Sequence, residues 1–370
     1  MIFRKGELFC GPGGLALGAK WAKVTDENGN IYKINHAWAV DYCESACKTY
    51  RRNICGNPHD PTVYVKDVKD LDIESLPPID AFSFGFPCND YSIVGEQKGI
   101  EGKYGSLYTY GIKVINYHNP LFFVAENVGG LKSVNDGKAF IQILRKLSEA
   151  GKGYKLVPHL YKFEEYGVPQ TRHRIIIVGI RSDQNVEFKV PAPTTPDCYI
   201  TSREAITNPP IPADAPNHEF TRHKAKTVEM LKYIPPGENA WYEGIPEELR
   251  LKVKRTRMSQ IYRRLHPDYP SYTITGSGGG GTHVYHWEEP RALTNRERAR
   301  LQTFPDDFIF EGSKEKVRQQ IGMAVPPKAA KVIFEAILKT FAGIPYEFVE
   351  PKWNIEELLK SNEPLQSLTN

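Results

Sequence analysis

The sequence predicts an α/β fold in which a mostly parallel sheet is wrapped by helices, together with a smaller, loop-rich region. In the first half of the chain, short apolar runs alternate with segments of helical spacing, a pattern typical of strand–helix–strand units. Near residue 186 the composition shifts to proline-rich stretches without a sustained period, and helical patterns return after about residue 290. A chain of 370 residues is long enough for one large or two ordinary domains.

Five apolar runs are predicted as strands. Four of them are HAWAVD (36–41), DAFSFGF (80–86), LFFVAEN (121–127) and RIIIVGI (174–180). The fifth opens the segment LFCGPGGLALGAK (8–20), which continues into a glycine-rich turn and then a helix. Because parallel α/β sheets hold their sites at the carboxyl ends of the strands, the residues that follow these runs are candidates for a functional site.

Helices are predicted between the strands and near the end of the chain. ESACKTYRRN (44–53) and NDGKAFIQILRKLSEAGKG (135–153) have helical spacing, and Gly151 is placed to end the second. KAAKVIFEAILKTF (328–341) is amphipathic and long enough to pack onto the sheet. The tail from about 345 to 370 fits no single element.

One further helix, ALTNRERARLQTF (292–304), carries a start signal. Thr294 is a good N-cap, and Glu297 stands three residues later, as in a capping box. We therefore expect this helix to begin at Thr294.

Composition excludes several classes of protein. Apolar residues make up 40% of the chain and charged residues 25%, as in ordinary globular proteins. Six cysteines are too few for a disulfide scaffold of this length, which fits a reducing cytoplasm. No signal-peptide core and no run of about 18 apolar residues is present, so we expect neither secretion nor membrane insertion. The net charge of +4 permits a nucleic-acid partner without indicating one.

The segment LKVKRTRMSQIYRR (251–264) concentrates positive charge inside the loop-rich region 186–290. It contains six basic residues and no acid, which could form a solvated helix face or a surface that contacts phosphates. The six are Lys252, Lys254, Arg255, Arg257, Arg263 and Arg264.

The glycine-rich turn favours an adenosine-bearing cofactor. Gly11, Gly13 and Ala16 could serve the fingerprint G-x-G-x-x-G/A, in which the backbone approaches a ligand at a helix N-terminus. Asp41 ends the next predicted strand, where a carboxylate can accept both ribose hydroxyls. At this level NAD and S-adenosylmethionine both remain open.

Cys88 follows a predicted strand in FGFPCNDYS (84–92). A cysteine is commonly buried and inert, but here Pro87 fixes the chain before it and Glu126 ends a neighbouring strand. A carboxylic acid beside a thiolate suits addition to a heteroaromatic ring. The segment that follows is expected to be a mobile loop because of its glycines, Gly95, Gly99, Gly102 and Gly105.

A zinc site is the alternative for other cysteines. Cys43, Cys47, Cys55 and His59 have ligand-like spacing. The stretch between them reads as helix rather than as a metal knuckle, so we expect no metal.

Five segments then point to a family. FCGPGG, GFPCNDYS, ENV, QTRHR and RALTNRERARLQTFPDDF occur in this order, which resembles the motif order of the C5-cytosine DNA methyltransferases. The resemblance covers about 1–185 and 290–340, and the unmatched part is where this family keeps its variable target-recognition region. It implies a catalytic and cofactor-binding domain over 1–185, completed by 315–370, and a target-recognition domain and hinge over 186–314.

The resemblance also implies a reaction. S-adenosylmethionine would methylate C5 of a cytosine flipped out of a specific site in double-stranded DNA, through a covalent bond between Cys88 and C6. Glu126 matches the acid at cytosine N3. Arg172 and Arg174 match a pair that steadies the catalytic site and the flipped nucleotide, and Ser92 matches the loop that closes over DNA. The implied cofactor-binding residues are Phe9, Gly11, Gly13, Gly14, Leu15, Asp41, Tyr42, Asp67, Val68, Gly85, Pro87, Leu107, Ala324 and Val325.

The sequence departs from the family pattern at Glu7, Cys43 and Met323, which stand where Asp, an acid and Asn are usual. We expect a monomeric bacterial or phage modification enzyme acting in the cytoplasm, with a restriction endonuclease encoded nearby. The alternatives are the tRNA-methylating branch of the family, a non-catalytic DNA-binding relative and an NAD-dependent oxidoreductase.

Overall fold

The computed structural model describes residues 1–86, 107–128, 137–252, 258–276 and 279–360. The chain divides into two compact units, the first comprising Met1–Lys162, His173–Pro193 and Ala329–Asn370, and the second Phe163–Arg172 and Thr194–Lys328. No helix among the described residues is long and apolar enough to cross a membrane.

Within the described residues, the first unit is built on an eight-stranded sheet in the order β2-β3-β1-β5-β6-β8-β7, with β4 paired to β3. The β1–β3, β1–β5, β3–β4 and β5–β6 pairs are parallel, which confirms the mostly parallel sheet. The strands are β1 Ile2–Leu8, β2 Lys23–Thr25, β3 Ile31–Asp41, β4 Val63–Val65, β5 Ala81–Gly85, β6 Phe122–Val128, β7 Tyr154–Lys162 and β8 His173–Arg181.

Strand β8 runs antiparallel to both of its neighbours, β6 and β7. Its first residues therefore lie at the edge where the parallel strands end, and Arg174 pairs with Val128, the last residue of β6. The beginning of β8 is thus brought to the carboxyl edge of the parallel strands.

The first unit also contains a separate two-stranded sheet. Val190–Pro191 forms β9 and pairs antiparallel with β10, Phe348–Val349. This pairing places residues up to 193 in the first unit, beyond the predicted boundary at 185.

The helices are α1 Gly14–Trp21, α2 Glu44–Tyr50, α3 Tyr108–His118, α4 Lys138–Ser148, α5 Ser202–Thr207, α6 Ala225–Lys232, α7 Asn295–Leu301, α8 Lys314–Met323, α9 Pro327–Ala342 and α10 Ile355–Lys360. Phe341 of α9 packs against Phe3 and Phe122 of the sheet, with ring centroids 5.1 and 5.7 Å apart, as its amphipathic pattern predicts. The tail joins a different apolar cluster, in which Trp353 is buried against Phe140.

The second unit is made of short helices and irregular segments. A small core joins Met230, Leu231 and Ile234 of the α6 region to Tyr285 and Ala292. At α7 the predicted capping box is present: the Thr294 hydroxyl accepts from the Glu297 N–H, and the Glu297 carboxylate accepts from the Thr294 N–H.

Residues 163–172 belong to the second unit, although the predicted division put them in the first. Their backbone bonds explain the difference: Thr195 N–H donates to the Glu165 carbonyl at 2.8 Å, and Thr171 N–H to the Ser271 carbonyl at 2.8 Å. The second unit also extends to Lys328 and so contains α8, beyond the predicted end at 314.

Candidate active site

The glycine-rich turn after β1 has three residues with a left-handed backbone, and at Gly13 there is also no room for a side chain. Phe9, Gly11 and Gly13 have φ values of 54°, 52° and 96°. A Cβ added at Gly13 would lie 2.8 Å from Ile54 Cγ1 and 3.0 Å from Tyr50 Cδ2. The turn then enters α1 through Gly14 and Leu15, both buried. The turn that leads into α1 therefore has a left-handed backbone and is tightly packed at Gly13.

Asp41, at the end of β3, is tied to this turn. Its carboxylate accepts the Gly11 N–H at 2.9 Å and the Cys43 N–H at 2.8 Å. Burial raises the pKa of Asp41, and the backbone donors of Cys43, Gly11 and Tyr42 oppose that rise. The next side chain, Tyr42, is 71% exposed, so an oriented carboxylate lies beside an exposed aromatic ring.

Asp67 and Val68 follow β4, which pairs with the last residues of β3. The Asp67 carboxylate accepts the Lys69 N–H at 3.0 Å and caps a short 3₁₀ turn, while Val68 is buried beneath it. The glycine turn, Asp41 and Asp67 thus follow three neighbouring strands. A glycine turn, a fixed carboxylate and an exposed aromatic ring fit an adenosine-bearing ligand.

Glu126 near the end of β6 forms an ion pair with Arg174 of β8, with 3.0 Å between Glu126 Oε1 and Arg174 Nε. Their side chains are 14% and 13% exposed. Gly85, the last residue of β5, pairs with Glu126, and a Cβ there would lie 3.1 Å from Glu126 Oε2. Glycine at position 85 therefore leaves room for the carboxylate, which is a different contribution from the cofactor contact expected of it.

Asn127 is a positioning residue that the sequence reasoning passed over. Its side chain is buried, and Nδ2 donates to the carbonyl of Phe86 at 3.2 Å. This bond joins β6 to the residue that immediately follows β5. The motif ENV contains Asn127 next to Glu126, but the sequence alone assigns a role only to Glu126.

Pro87, Cys88 and Ser92 lie outside the described residues. The described chain ends at Phe86, next to Gly85 and Glu126, and resumes at Leu107, which is buried and precedes α3. The roles expected of Pro87, Cys88 and Ser92 stay predictions.

Arg172 is buried in the second unit. Its guanidinium donates to the carbonyls of Ile274, Gly322 and Ala324 at 3.0, 3.0 and 3.1 Å. Ala324 and Val325, expected at the cofactor, are buried in the same unit. Arg172 therefore organises backbone, whereas Arg174 pairs with the Glu126 carboxylate.

The basic residues of 251–264 are not equivalent. Lys252 is exposed, and the Arg263 guanidinium lies 4.7 Å from the Tyr272 ring centre. Lys254, Arg255 and Arg257 lie outside the described residues.

Arg264 corrects an expectation, because it is 4% exposed rather than on the surface. Its guanidinium donates to the carbonyls of Leu231, Ile234, His286 and Glu289. A side chain committed to the protein's own backbone is not free to bind DNA phosphates, so Arg264 is not a DNA contact.

The four residues with zinc-like spacing do not come together. Cys47 is buried in the core, where its thiol donates to the carbonyls of Asp41 and Tyr64. Cys43 contacts the Ser45 hydroxyl instead. Among the described residues, no metal-like grouping contains Cys43, Cys47 or His59.

Comparison with known proteins adds to this geometry. A family model for "C-5 cytosine-specific DNA methylase" matches residues 3–339. The chain is 68% identical over 364 residues to the Type II methyltransferase M.BbvI of Brevibacillus brevis, covering 97% of this chain and 96% of that protein. It is 41% identical to the Type II methyltransferase M.NgoFVII of Neisseria gonorrhoeae, covering 90% and 86%.

Solved structures show the same fold. A protein described as a prophage-encoded DNA modification methyltransferase (E. coli) matches with a TM-score of 0.69 at 22% identity, covering 91% of this chain and 99% of that one. The Dnmt2 methyltransferase of S. pombe matches with a TM-score of 0.53 at 15% identity, covering 93% and 99%. At such identities the likeness concerns the fold alone.

Proposed function

This chain belongs to the C-5 cytosine-specific DNA methylase family, and from that premise we propose how its residues carry out the reaction. It is a methyltransferase that uses S-adenosylmethionine and acts on cytosine C5 in DNA. The observation that carries the residue assignment is the Glu126–Arg174 pair beside Gly85, at the sheet edge that also bears the glycine turn and Asp41.

Cys88 is the nucleophile in this proposal. Cytosine C5 is a poor nucleophile, but addition of the Cys88 sulfur to C6 makes C5 enamine-like and able to attack a methyl group. When bound, S-adenosylmethionine would supply that electrophilic methyl group and leave as S-adenosylhomocysteine. Transfer of the C5 proton to a base or to solvent, with elimination of the Cys88 thiolate, then restores the aromatic ring. Because C5 and C6 are inaccessible in a stacked duplex, the base must first be flipped out.

Glu126 stabilises the ring during sulfur addition. Attack at C6 moves electron density toward N3, where Glu126 in its protonated form, with the proton taken up from solvent, can protonate or hydrogen-bond the nitrogen. The ion pair with Arg174 and the space left at Gly85 hold the Glu126 carboxylate in one orientation. Asn127 donates to the carbonyl of Phe86 and so fixes the residue that directly precedes Pro87 and Cys88.

The glycine turn and Asp41 hold the adenosine part of the cofactor in this proposal. Asp41 accepts the ribose hydroxyls, Tyr42 stacks on the adenine ring and Asp67 meets its amino group. Phe9, Gly14, Leu15, Val68 and Leu107 complete the pocket.

Gly13→Ala is expected to weaken S-adenosylmethionine binding at least about tenfold and to lower the free energy of unfolding by about 1–3 kcal/mol. The new methyl group would meet Ile54 and Tyr50 at a φ of 96°, shifting the turn that donates to Asp41. Gly29→Ala is the matched control, because Gly29 has a φ of 79° with nothing within 4 Å. It should lose stability but keep cofactor affinity. Titration calorimetry and urea unfolding measure both, and an unchanged cofactor Kd in Gly13→Ala contradicts the assignment.

We propose that the second unit recognises the DNA target and that the basic segment near 252–257 contacts phosphates. The support is its run of cations, of which Lys252 is exposed. Each phosphate contact that a cation makes steepens the negative slope of log K against log salt by about 0.9.

Replacing Lys252, Lys254, Arg255 and Arg257 together with Ala is expected to weaken DNA binding and flatten its salt dependence by up to about 0.9 per lost contact. The control removes the same charge from exposed positions of the first unit, at Lys23, Lys48, Lys152 and Lys155. Fluorescence anisotropy across a salt series measures both. Equal slopes for the two variants would refute a phosphate-contacting role for this segment.

We also propose that the protein is the modification enzyme of a restriction–modification system. The relatives at 68% and 41% identity are both named Type II methyltransferases, and the matches span nearly their full lengths. The enzyme would act as a monomer in the cytoplasm, with its restriction endonuclease as a separate protein.

Transfer of labelled methyl groups from S-adenosylmethionine to duplex DNA and to tRNA tests the substrate class. Label should enter cytosine in DNA at a rate far above that in tRNA. The reverse preference would favour the tRNA-methylating branch, and no incorporation in either would favour a non-catalytic relative.

A further inference from the structure

The first unit contains a histidine, a cysteine and a carboxylate that the reaction does not use. His36 on β3, Cys55 at the end of the π-helical turn Arg51–Cys55, and Asp60 in the following loop each offer one ligand atom. These atoms lie within 4.8 Å of one another, and all three residues are half-buried. Three separate segments of the chain thus converge on one point.

The cluster lines a cavity of ≈ 320 Å³ between α1, β3 and the π-helical turn. A water molecule occupies about 30 Å³ in the liquid, so the space admits a hydrated ion. His36 precedes Asp41 on β3 and lies away from the edge where that strand ends. The three ligands therefore lie apart from the strand ends that carry the proposed reaction, although Tyr50 and Ile54, which flank Gly13, also line the cavity.

Two lysines also line this cavity. Lys5 adds to the burial that lowers the pKa of His36, and Lys20 opposes the burial that raises the pKa of Cys55, but both ammonium groups hydrogen-bond to other parts of the protein. Lys5 Nζ pairs with Glu7 Oε2 at 2.5 Å and donates to the Ser83 hydroxyl at 2.9 Å. Lys20 Nζ donates to the carbonyls of Asn53 and Ile54 at 3.3 and 2.9 Å. These hydrogen bonds go to partners other than His36, Cys55 and Asp60, while one oxygen of the Asp60 carboxylate accepts from the Thr62 N–H and hydroxyl.

An imidazole nitrogen, a thiolate sulfur and a carboxylate oxygen are donors that Zn²⁺ prefers, with water completing a tetrahedron. Hard cations such as Mg²⁺ would not select a thiolate and an imidazole. We propose that His36, Cys55 and Asp60 bind one divalent cation of the zinc class, with water as the fourth ligand. The sequence leads us to expect no metal, and this site shares only Cys55 with the set of ligand-like spacing, Cys43, Cys47, Cys55 and His59.

The imidazole is ready to bind a cation, whereas the thiol must first lose its proton. Burial lowers the pKa of His36 to about 4, so its imidazole is neutral and offers a lone pair. Burial raises the pKa of Cys55 to about 12, so the thiol keeps its proton without metal. When the metal–sulfur bond forms, the S–H bond breaks and the proton passes to solvent.

The hydrogen bonds of His36 show how the ring would be oriented. Nδ1 contacts the Tyr50 hydroxyl at 3.2 Å and Nε2 the Thr62 hydroxyl at 2.8 Å. A metal would replace one of these partners, and the other would keep the ring in position, as the second partners of metal-bound histidines do.

Co²⁺ added to the full-length, chelator-treated protein tests the site, because Co²⁺ reports tetrahedral thiolate coordination by its absorption. We expect one Co²⁺ per chain, with visible d–d bands and a thiolate charge-transfer band, and displacement by Zn²⁺. Cys55→Ser should abolish the charge-transfer band of this site and weaken binding at least about tenfold. The matched controls Cys198→Ser, at an exposed thiol, and His59→Asn, at an exposed histidine beside the cluster, should bind as the parent does.

A charge-transfer band that persists in Cys55→Ser would overturn the proposal, as would a parent protein that binds no Co²⁺ in a tetrahedral site. Far-ultraviolet circular dichroism and S-adenosylmethionine binding verify that each variant is folded. If Cys55→Ser does not fold, Asp60→Asn keeps the thiol and must still weaken Co²⁺ binding. Undiminished affinity in that variant also overturns the proposal.

Discussion

Glu126→Gln should lower kcat for DNA methylation by about 10²- to 10⁴-fold, the usual contribution of a positioned acid or base. Glutamine keeps the shape of the side chain but cannot protonate cytosine N3, and it loses the charge that holds Arg174 at 3.0 Å. Affinity for S-adenosylmethionine should change little, because the proposed cofactor contacts are at Asp41 and the glycine turn. Steady-state kinetics with a labelled methyl group, beside calorimetric cofactor titration, give both quantities.

Asp80→Asn is the matched control for that variant. Asp80 also pairs with an arginine of the sheet, Arg4 at 2.9 Å, but it precedes β5 and so lies at the opposite edge. This change should leave methyl transfer unaltered. Equal losses in the two variants would mean that Glu126 acts through general stability, and a fully active Glu126→Gln would remove it from the reaction.

Cys88→Ala should abolish methyl transfer, by at least about 10⁴-fold, while DNA binding persists. Without the sulfur no bond forms at C6, and C5 stays unreactive toward the methyl group. DNA containing 5-fluorocytosine provides a direct chemical test. Fluorine at C5 cannot leave as a cation in place of the proton, so the methylated adduct should remain bonded to Cys88 and be found there by peptide mass spectrometry.

Cys198→Ala, which removes an exposed thiol of the second unit, is the control for Cys88→Ala and should retain activity and adduct formation. Turnover by Cys88→Ala, or an adduct mapped to another cysteine, would exclude Cys88 as the nucleophile.

The sequence predicted five of the eight described strands of the main sheet, β1, β3, β5, β6 and β8, because buried strands of a parallel sheet are almost continuously apolar. It did not predict β2, β4 or β7. It did not reveal the direction of β8, because an apolar run such as RIIIVGI can form a buried strand that is either parallel or antiparallel to its neighbours. That direction is what brings Arg174 to Glu126. The pairing of the two side chains could therefore be expected only from the family resemblance.

Burial of individual polar residues was also hidden from the sequence. The basic run 251–264 gives no sign that Arg264 turns inward to four carbonyls. The function of Gly85 as space for Glu126 likewise depends on the register between β5 and β6. Such facts are set by tertiary contacts rather than by local pattern.

The boundaries between the two units differ from the predicted ones, again because tertiary contacts decide them. The β9–β10 pair joins residues near 190 to residues near 348, and strands of two residues carry no periodic signal. By contrast, the capping box at Thr294 and the amphipathic helix Pro327–Ala342 are local features, and both were predicted closely.

Base-resolution sequencing of plasmid DNA from cells that express this protein tests the central assignment most directly. The wild-type protein should leave 5-methylcytosine at one recurring sequence context, and the Cys88→Ala variant, expressed to the same level, should leave none. Unmodified cytosines with the wild-type protein, methylation at an exocyclic nitrogen, or the same 5-methylcytosine pattern with Cys88→Ala would contradict it.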